Sequence, residues 1–242
     1  MSRNIRRGIF FNLENTLANS ASALRSAFDR FAALCGVAPS DEVFAAIGGM
    51  SVPMAVALLK RRWSLPYTLA DLQRRYVPLI DTAFLEIAPA SGAATTVETA
   101  FRNGWSVGVV TPVTGARSRA WLTRTRLVSF VDIVVGGDEI VLGKPEPEPY
   151  RIALARSGCA RELSIAVEDS PSGAKSATAA GIRSYALAPD SAVSAEWPEG
   201  VRLIERIDEL MPELERQRVR RVAGRTPLIR HPDWRLRGHW PG

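Results

Sequence analysis

The chain has 242 residues, 46% of them hydrophobic and 23% charged, with a formal net charge of +6. These are ordinary values for a soluble globular protein, no apolar run reaches membrane-span length, and one core with a modest insert fits better than two equal domains. The charge is unevenly spread: residues 216–242 hold eight arginines against one acid, Asp233, so the rest of the chain is close to neutral. A general nucleic-acid binder carries its positive charge on the folded body, and this body does not.

The first apolar stretch, Gly8-Ile9-Phe10-Phe11, stops at Asn12-Leu13-Glu14-Asn15. That is too soon for a signal sequence, so a cytoplasmic location is expected. Residues 8–13 read as a short buried strand with a polar turn after it. Residues 20–88 are helical in pattern: Leu24, Phe28, Phe31 and Leu34 recur at helical spacing, and Pro53 and Pro66 divide the segment. From there strands and helices alternate. Strands are predicted over 106–111, 131–135, 164–167 and 183–188, and helices over 115–126, 149–157 and 172–180. This pattern specifies an α/β fold, a doubly wound parallel sheet with an inserted α-helical cap. The expected division is 1–18 and 89–215 for the core, 19–88 for the cap and 216–242 for a basic tail. Cys35 and Cys159 have no metal-ligand spacing and are expected as free, buried thiols.

Open parallel sheets bind ligands beyond the carboxyl ends of their strands. Polar residues follow each strand here: Asn12 and Glu14 the first, Thr111 the second, Lys144 beyond the third, Glu168 and Asp169 the fourth. Lys144 is one of only three lysines, with Lys60 and Lys175, against many arginines, which singles it out as a compact point charge. Paired carboxylates such as Glu168 and Asp169 suit a hard cation, and Asp169 or Ser170 also suits the cap of a helix whose first turn holds Pro171. The basic run Lys60-Arg61-Arg62 reads as a solvated helix face.

Taken in order, Phe11-Asn12-Leu13-Glu14-Asn15-Thr16-Leu17, Val109-Val110-Thr111, Gly143-Lys144-Pro145-Glu146-Pro147 and Val167-Glu168-Asp169-Ser170-Pro171-Ser172-Gly173 resemble the motifs of the haloacid dehalogenase superfamily. The similarity is strongest to its phosphoglycolate-phosphatase and β-phosphoglucomutase-like branch and covers residues 8–187. The resemblance implies a Mg²⁺-dependent phosphotransferase fold in which an aspartate carries the phosphoryl group and the cap closes over the substrate. By the same resemblance Thr16, Thr111 and Lys144 are expected at the substrate, Glu14 at the acid–base position, and Glu168 and Asp169 at the metal.

The family's first motif has aspartate at the positions of Asn12 and Glu14. An amide is a poor nucleophile and brings no negative charge to a cation. Glu14 keeps a carboxylate but is one methylene longer. Pro112 removes a backbone N–H that the family uses in its phosphate cradle. Asn15 stands where glycine is usual and tolerates unusual backbone angles better than most residues.

Three readings follow. The leading one is a phosphatase-like protein without normal aspartyl-phosphate chemistry that binds a phosphorylated small molecule or a protein partner. A second is an active hydrolase with altered residues, using Glu14. A third makes the tail, with Trp234, Trp240, His231 and His239, the functional element: an arm for a protein partner, a second copy or nucleic acid.

Overall fold

The computed structural model describes residues 6–188 and 196–215. The tail, and with it every reading that rests on residues 216–242, lies outside the described residues.

Six strands form one parallel sheet: β1 (Gly8–Phe11), β2 (Ser106–Val110), β3 (Ile133–Val135), β4 (Ile165–Glu168), β5 (Arg183–Leu187) and β6 (Arg202–Ile204). Their spatial order is β3-β2-β1-β4-β5-β6, which puts β1 at the centre. The central strands are apolar without a break because both faces of the sheet are covered. Side-chain alternation divides the core in two. Ile9, Phe11, Val107, Val109 and Val167 face a large cluster that continues into the cap. Phe10, Val110 and Ala166 face a smaller one with Tyr150, Ala153 and Ala177. The smaller face is tight: Phe10 lies opposite Gly108, where a Cβ would sit 2.7 Å from the Phe10 ring.

Four helices lie between β1 and β2: α1 (Ala21–Leu34), α2 (Asp41–Ala46), α3 (Val52–Arg62) and α4 (Leu69–Glu86). Their starts are written locally. The Ser40 side chain accepts from the Val43 N–H, and Thr68 and Asp71 form a reciprocal capping box. Pro53 falls in the first turn of α3, Pro66 separates α3 from α4, and Pro78 sits inside α4. The apolar series in α1 is buried at Phe28 and Phe31, while Leu34 at the helix end is exposed. Lys60 is not a simple solvated charge. Its ammonium donates to the Leu65 and Tyr67 carbonyls at 2.8 and 2.6 Å and closes the turn after α3.

Five more helices complete the described chain: α5 (Ala93–Arg102), α6 (Gly115–Arg124), α7 (Glu148–Ser157), α8 (Pro171–Ala179) and α9 (Met211–Glu215). Of these α5 and α9, and strand β6, were not predicted from the sequence. Cys35 and Cys159 are free but only half-buried, which corrects the expectation of buried thiols.

The chain leaves the sheet and returns to it side by side: the Asn19 N–H donates to the Ala88 carbonyl at 3.0 Å and the Ala90 N–H to the Leu17 carbonyl at 2.8 Å. Helix α6 then clasps the end of α4. Trp121 is buried and its indole N–H donates to the Ile87 carbonyl at 2.9 Å, and Arg124 reaches the same carbonyl. Replacing Trp121 by Phe keeps most of the apolar volume and removes that donor. The expected loss is about 1–3 kcal/mol in urea unfolding; an unchanged midpoint would show that the clasp contributes nothing.

Candidate functional site at the strand ends

Asn12 follows β1 and is 4% exposed. The Lys144 ammonium donates to its side-chain oxygen at 3.2 Å, to the Val110 carbonyl at 3.1 Å, and pairs with Glu168. Lysine can only donate, so the amide oxygen of Asn12 must face it, and the amide nitrogen faces the other way. That nitrogen donates to the Glu14 carbonyl at 2.8 Å and to Asp169 Oδ1 at 2.7 Å. Both amide hydrogens are therefore in use.

Glu168 and Asp169, expected side by side at a cation, take different surroundings, as successive residues at a strand end do. Glu168 is the last residue of β4 and is completely buried, with one oxygen engaged by Lys144 and by the Tyr150 hydroxyl. Its other oxygen lies over Gly173, where a Cβ would come within 2.1 Å. Asp169 is half-buried at the floor of a cavity beneath the cap, together with Asn12, Glu14 and Asn15.

Asn15 has φ +53°, and its turn is pinned by Ser20, whose hydroxyl accepts from the Asn15 N–H and donates to Asn15 Oδ1. The bend lets Glu14 reach the cavity and turns Thr16 away from it. Thr16 is fully buried with its hydroxyl unpartnered and lines, with Asn15 and Asp169, a neighbouring pocket instead of this one. Thr111 lies behind the floor: its hydroxyl accepts from the Val113 N–H at 3.1 Å and makes a long contact to Glu14 at 3.4 Å. Pro112 sits on the cavity wall and, as expected, offers no donor.

Two residues of the site were not singled out from the sequence. Arg117 of α6 lines the cavity and donates to Asp81 of α4 at 2.7 Å, joining core to cap. Tyr76 of α4 lines it from the other side. The spacing Arg117–Trp121–Arg124 marks one face of α6 and was the only available hint.

The electrostatics follow from crowding. Withdrawal from water, then the Asp169 charge, pushes the Glu14 carboxyl up to about 7, against the pull of Lys144, Thr111 and Arg117. Withdrawal from water, then Glu168, pushes Asp169 up to about 6. Burial raises the Tyr76 phenol, and the Glu14 charge adds to that.

The residues present do not fit the Mg²⁺ that the resemblance implies. The Glu14 carbonyl and Asp169 Oδ1 already accept the two Asn12 hydrogens, and Glu168 has one oxygen held by Lys144 and Tyr150 while the other, buried and without a partner, lies against Gly173. Among the described residues no group of three or more His, Cys, Asp or Glu side chains is arranged around a cation position.

Sheet order and strand-end polar groups place the protein among the open parallel α/β folds that bind ligands beyond the carboxyl ends of their strands. More closely, the chain belongs to the haloacid dehalogenase-like hydrolase family, whose profile matches residues 9–187. A phosphoglycolate phosphatase of Cereibacter sphaeroides is 31% identical over 184 residues, covering 73% of this chain and 82% of its own. One of Salmonella typhi is 30% identical over 203 residues, covering 75% and 81%. Among solved structures, CbbY from Rhodobacter sphaeroides in complex with phosphate is 25% identical, with a TM-score of 0.74 over 85% of this chain and 96% of that one. An aspartate-to-asparagine mutant of CbbY, in complex with xylulose-(1,5)bisphosphate, matches with the same identity, TM-score and coverage.

Two tests follow from the geometry. Gly173→Ala gains roughly 1 kcal/mol of helix propensity but must push the pinned Glu168 carboxylate aside, at about 1–3 kcal/mol. A net loss of stability in urea is expected, and a gain would show that Glu168 is free to move. The second test concerns pH. A carboxyl raised in the folded state stabilises it fully below its ordinary value and loses that contribution as pH rises through the folded value. For Glu14 the window runs from 4.5 to about 7. Glu14→Gln removes the loss, so its Tm relative to the parent should rise between pH 4.5 and 8. With solvent screening at a half-exposed group the gain is on the order of 1 kcal/mol, roughly 2–4 °C. A pH-independent difference would contradict the crowding.

Proposed function

We infer that this protein is a haloacid dehalogenase-fold protein that does not carry out aspartyl-phosphate hydrolysis and uses the crevice between core and cap to bind a ligand without turning it over. One observation carries the reading: Asn12 stands at the nucleophile position and its amide nitrogen is already bonded to Glu14 and Asp169. An amide neither attacks phosphorus nor supplies charge to a cation, and in a well-studied protease loss of the nucleophile alone costs roughly 10⁶ in rate. Pro112 removes a further phosphate donor, and Lys144 is engaged by three partners behind the cavity floor. The aspartate-to-asparagine mutant of CbbY was solved in complex with xylulose-(1,5)bisphosphate, which supports the view that a protein of this fold with such a change still holds a ligand.

The altered-hydrolase reading has one point in its favour, the Glu14 carboxyl at about 7, a value suited to general acid–base work. It lacks a nucleophile, because a glutamate two residues on approaches from the wrong backbone position for in-line attack.

Phosphate release from a panel of phosphorylated metabolites, measured with Mg²⁺ and beside Asn12→Asp, separates the two. The parent is expected to be inert. The variant removes the amide hydrogens that occupy Glu14 and Asp169 and restores a carboxylate, so it should bind a divalent cation by calorimetry and release phosphate. Turnover by the parent that disappears in Glu14→Gln would establish the altered hydrolase instead.

A further inference from the structure

The cavity beneath the cap has a volume of about 360 Å³, and its two sides differ in polarity. The cap side is formed by Leu24, Phe44, Ile47, Met50, Val52 and Ile80 with small residues between them. Tyr76, whose ring lies 4.6 Å from that of Phe31, is the only cap residue there with a polar side chain, and the cap brings no charge into the cavity. Such walls leave the hydroxyls of a sugar, or the second anionic group of a small phosphorylated acid, without partners, and unpaired buried polar groups cost affinity. Apolar lining of this extent with a few convergent polar groups is the usual make-up of a small-molecule site.

The floor has the opposite character and is rich in acceptors. Glu14 Oε2 receives one long contact from Thr111, and Oε1 has no hydrogen-bond partner among the described residues. Asp169 stands beside it. Of the donors around them, both Asn12 hydrogens are bonded, the Asn15 amide faces Asp169, Arg117 is paired with Asp81 through Nε and one Nη group, and Lys144 lies behind the floor. A phosphate head would meet two carboxyl groups opposed by one guanidinium that is already paired with Asp81, whereas a donor head finds an open acceptor at Glu14.

We propose that the cavity binds a small, largely apolar amine whose hydrocarbon body fills the cap side and whose ammonium group donates to Glu14 and Asp169. The proposal rests on the reading that the site binds without hydrolysing. Body and head are recognised by different elements: the body by α1 to α4, the head by the segments that follow β1 and β4.

Calorimetry on the full chain in metal-free buffer tests this with 2-phenylethylamine, hexylamine and tryptamine as probes. Ethanolamine supplies the head without the body, 2-phenylethanol the body without the charge, and phosphoglycolate the anionic alternative. At least one apolar amine should bind saturably one to one and at least about tenfold more tightly than ethanolamine or phosphoglycolate. Met50→Lys places a charge on the apolar wall and should weaken both the amine and 2-phenylethanol by about tenfold or more. Ala45→Lys, at an exposed position on the cavity rim, repeats that test should Met50→Lys fold poorly. Glu14→Gln should weaken the amine and leave 2-phenylethanol unchanged. No binding by any of the three amines, or tighter binding of phosphoglycolate, overturns the proposal. Phosphate release by the unaltered protein is a separate result: it refutes the loss of hydrolysis and leaves the ranking of amine against phosphoglycolate as measured.

Discussion

The Lys144 ammonium is buried where β1, β2 and β4 end, and a buried charge is tolerated only when its hydrogen bonds are made and its charge is paired. It has three donors and meets three partners: the Asn12 amide oxygen, the Val110 carbonyl and the Glu168 carboxylate. One partner lies at the end of each of three strands, so the lysine fixes the relative positions of the groups that follow them. It also fixes the Asn12 amide, because only the oxygen can face a lysine. Everything on the floor of the cavity depends on that choice: with the oxygen turned to Lys144, the nitrogen must point at the Glu14 carbonyl and Asp169.

Charge balance explains why this arrangement is self-consistent. Lys144 and Glu168 neutralise each other, and Asn12 adds nothing. An aspartate at position 12 would add a negative charge beside Asp169 and Glu14, whose carboxyls are already driven up by burial and by their acidic neighbours. Such a cluster calls for a cation. The asparagine carries no charge and supplies two N–H groups, one to the Glu14 carbonyl and one to Asp169. Glu168 is spared competition for Lys144 and is held against Tyr150 and Gly173. The other Glu168 oxygen is left buried without a partner.

Most of the sheet was legible in the sequence because buried parallel strands are short apolar runs with polar residues at their carboxyl ends. Each of the five predicted strands begins and ends within two residues of the observed one. The helices α6, α7 and α8 were legible for a related reason, having Thr114, Pro149 and Ser170 with Pro171 at their starts. Strand β6 was missed because three residues, Arg202-Leu203-Ile204, carry no period. Helix α5 was missed because Ala94-Thr95-Thr96-Val97 mixes small and β-branched residues, so its stripe of Ala93, Val97 and Ala100 shows only once the sheet is in place. The site was legible as a set of residues and not as a network. Sequence brings Asn12, Glu14, Lys144 and Asp169 to one sheet edge, but the turn of the Asn12 amide, the inward rotation of Thr16 and the burial of Glu168 come from contacts between segments far apart in the chain.

The cavity divides along the same line. Its floor comes from strand ends, where the period of two and the sheet order dictate which side chains converge. Its wall comes from the inserted helices, whose inner faces were chosen by packing around Phe28, Phe31 and Tyr76 and owe nothing to the strands. Arg117 and Asp81 join the halves across α6 and α4. A change at Asn12 alters the polar floor and leaves the apolar wall as it is, and Pro112 offers no backbone N–H in either case.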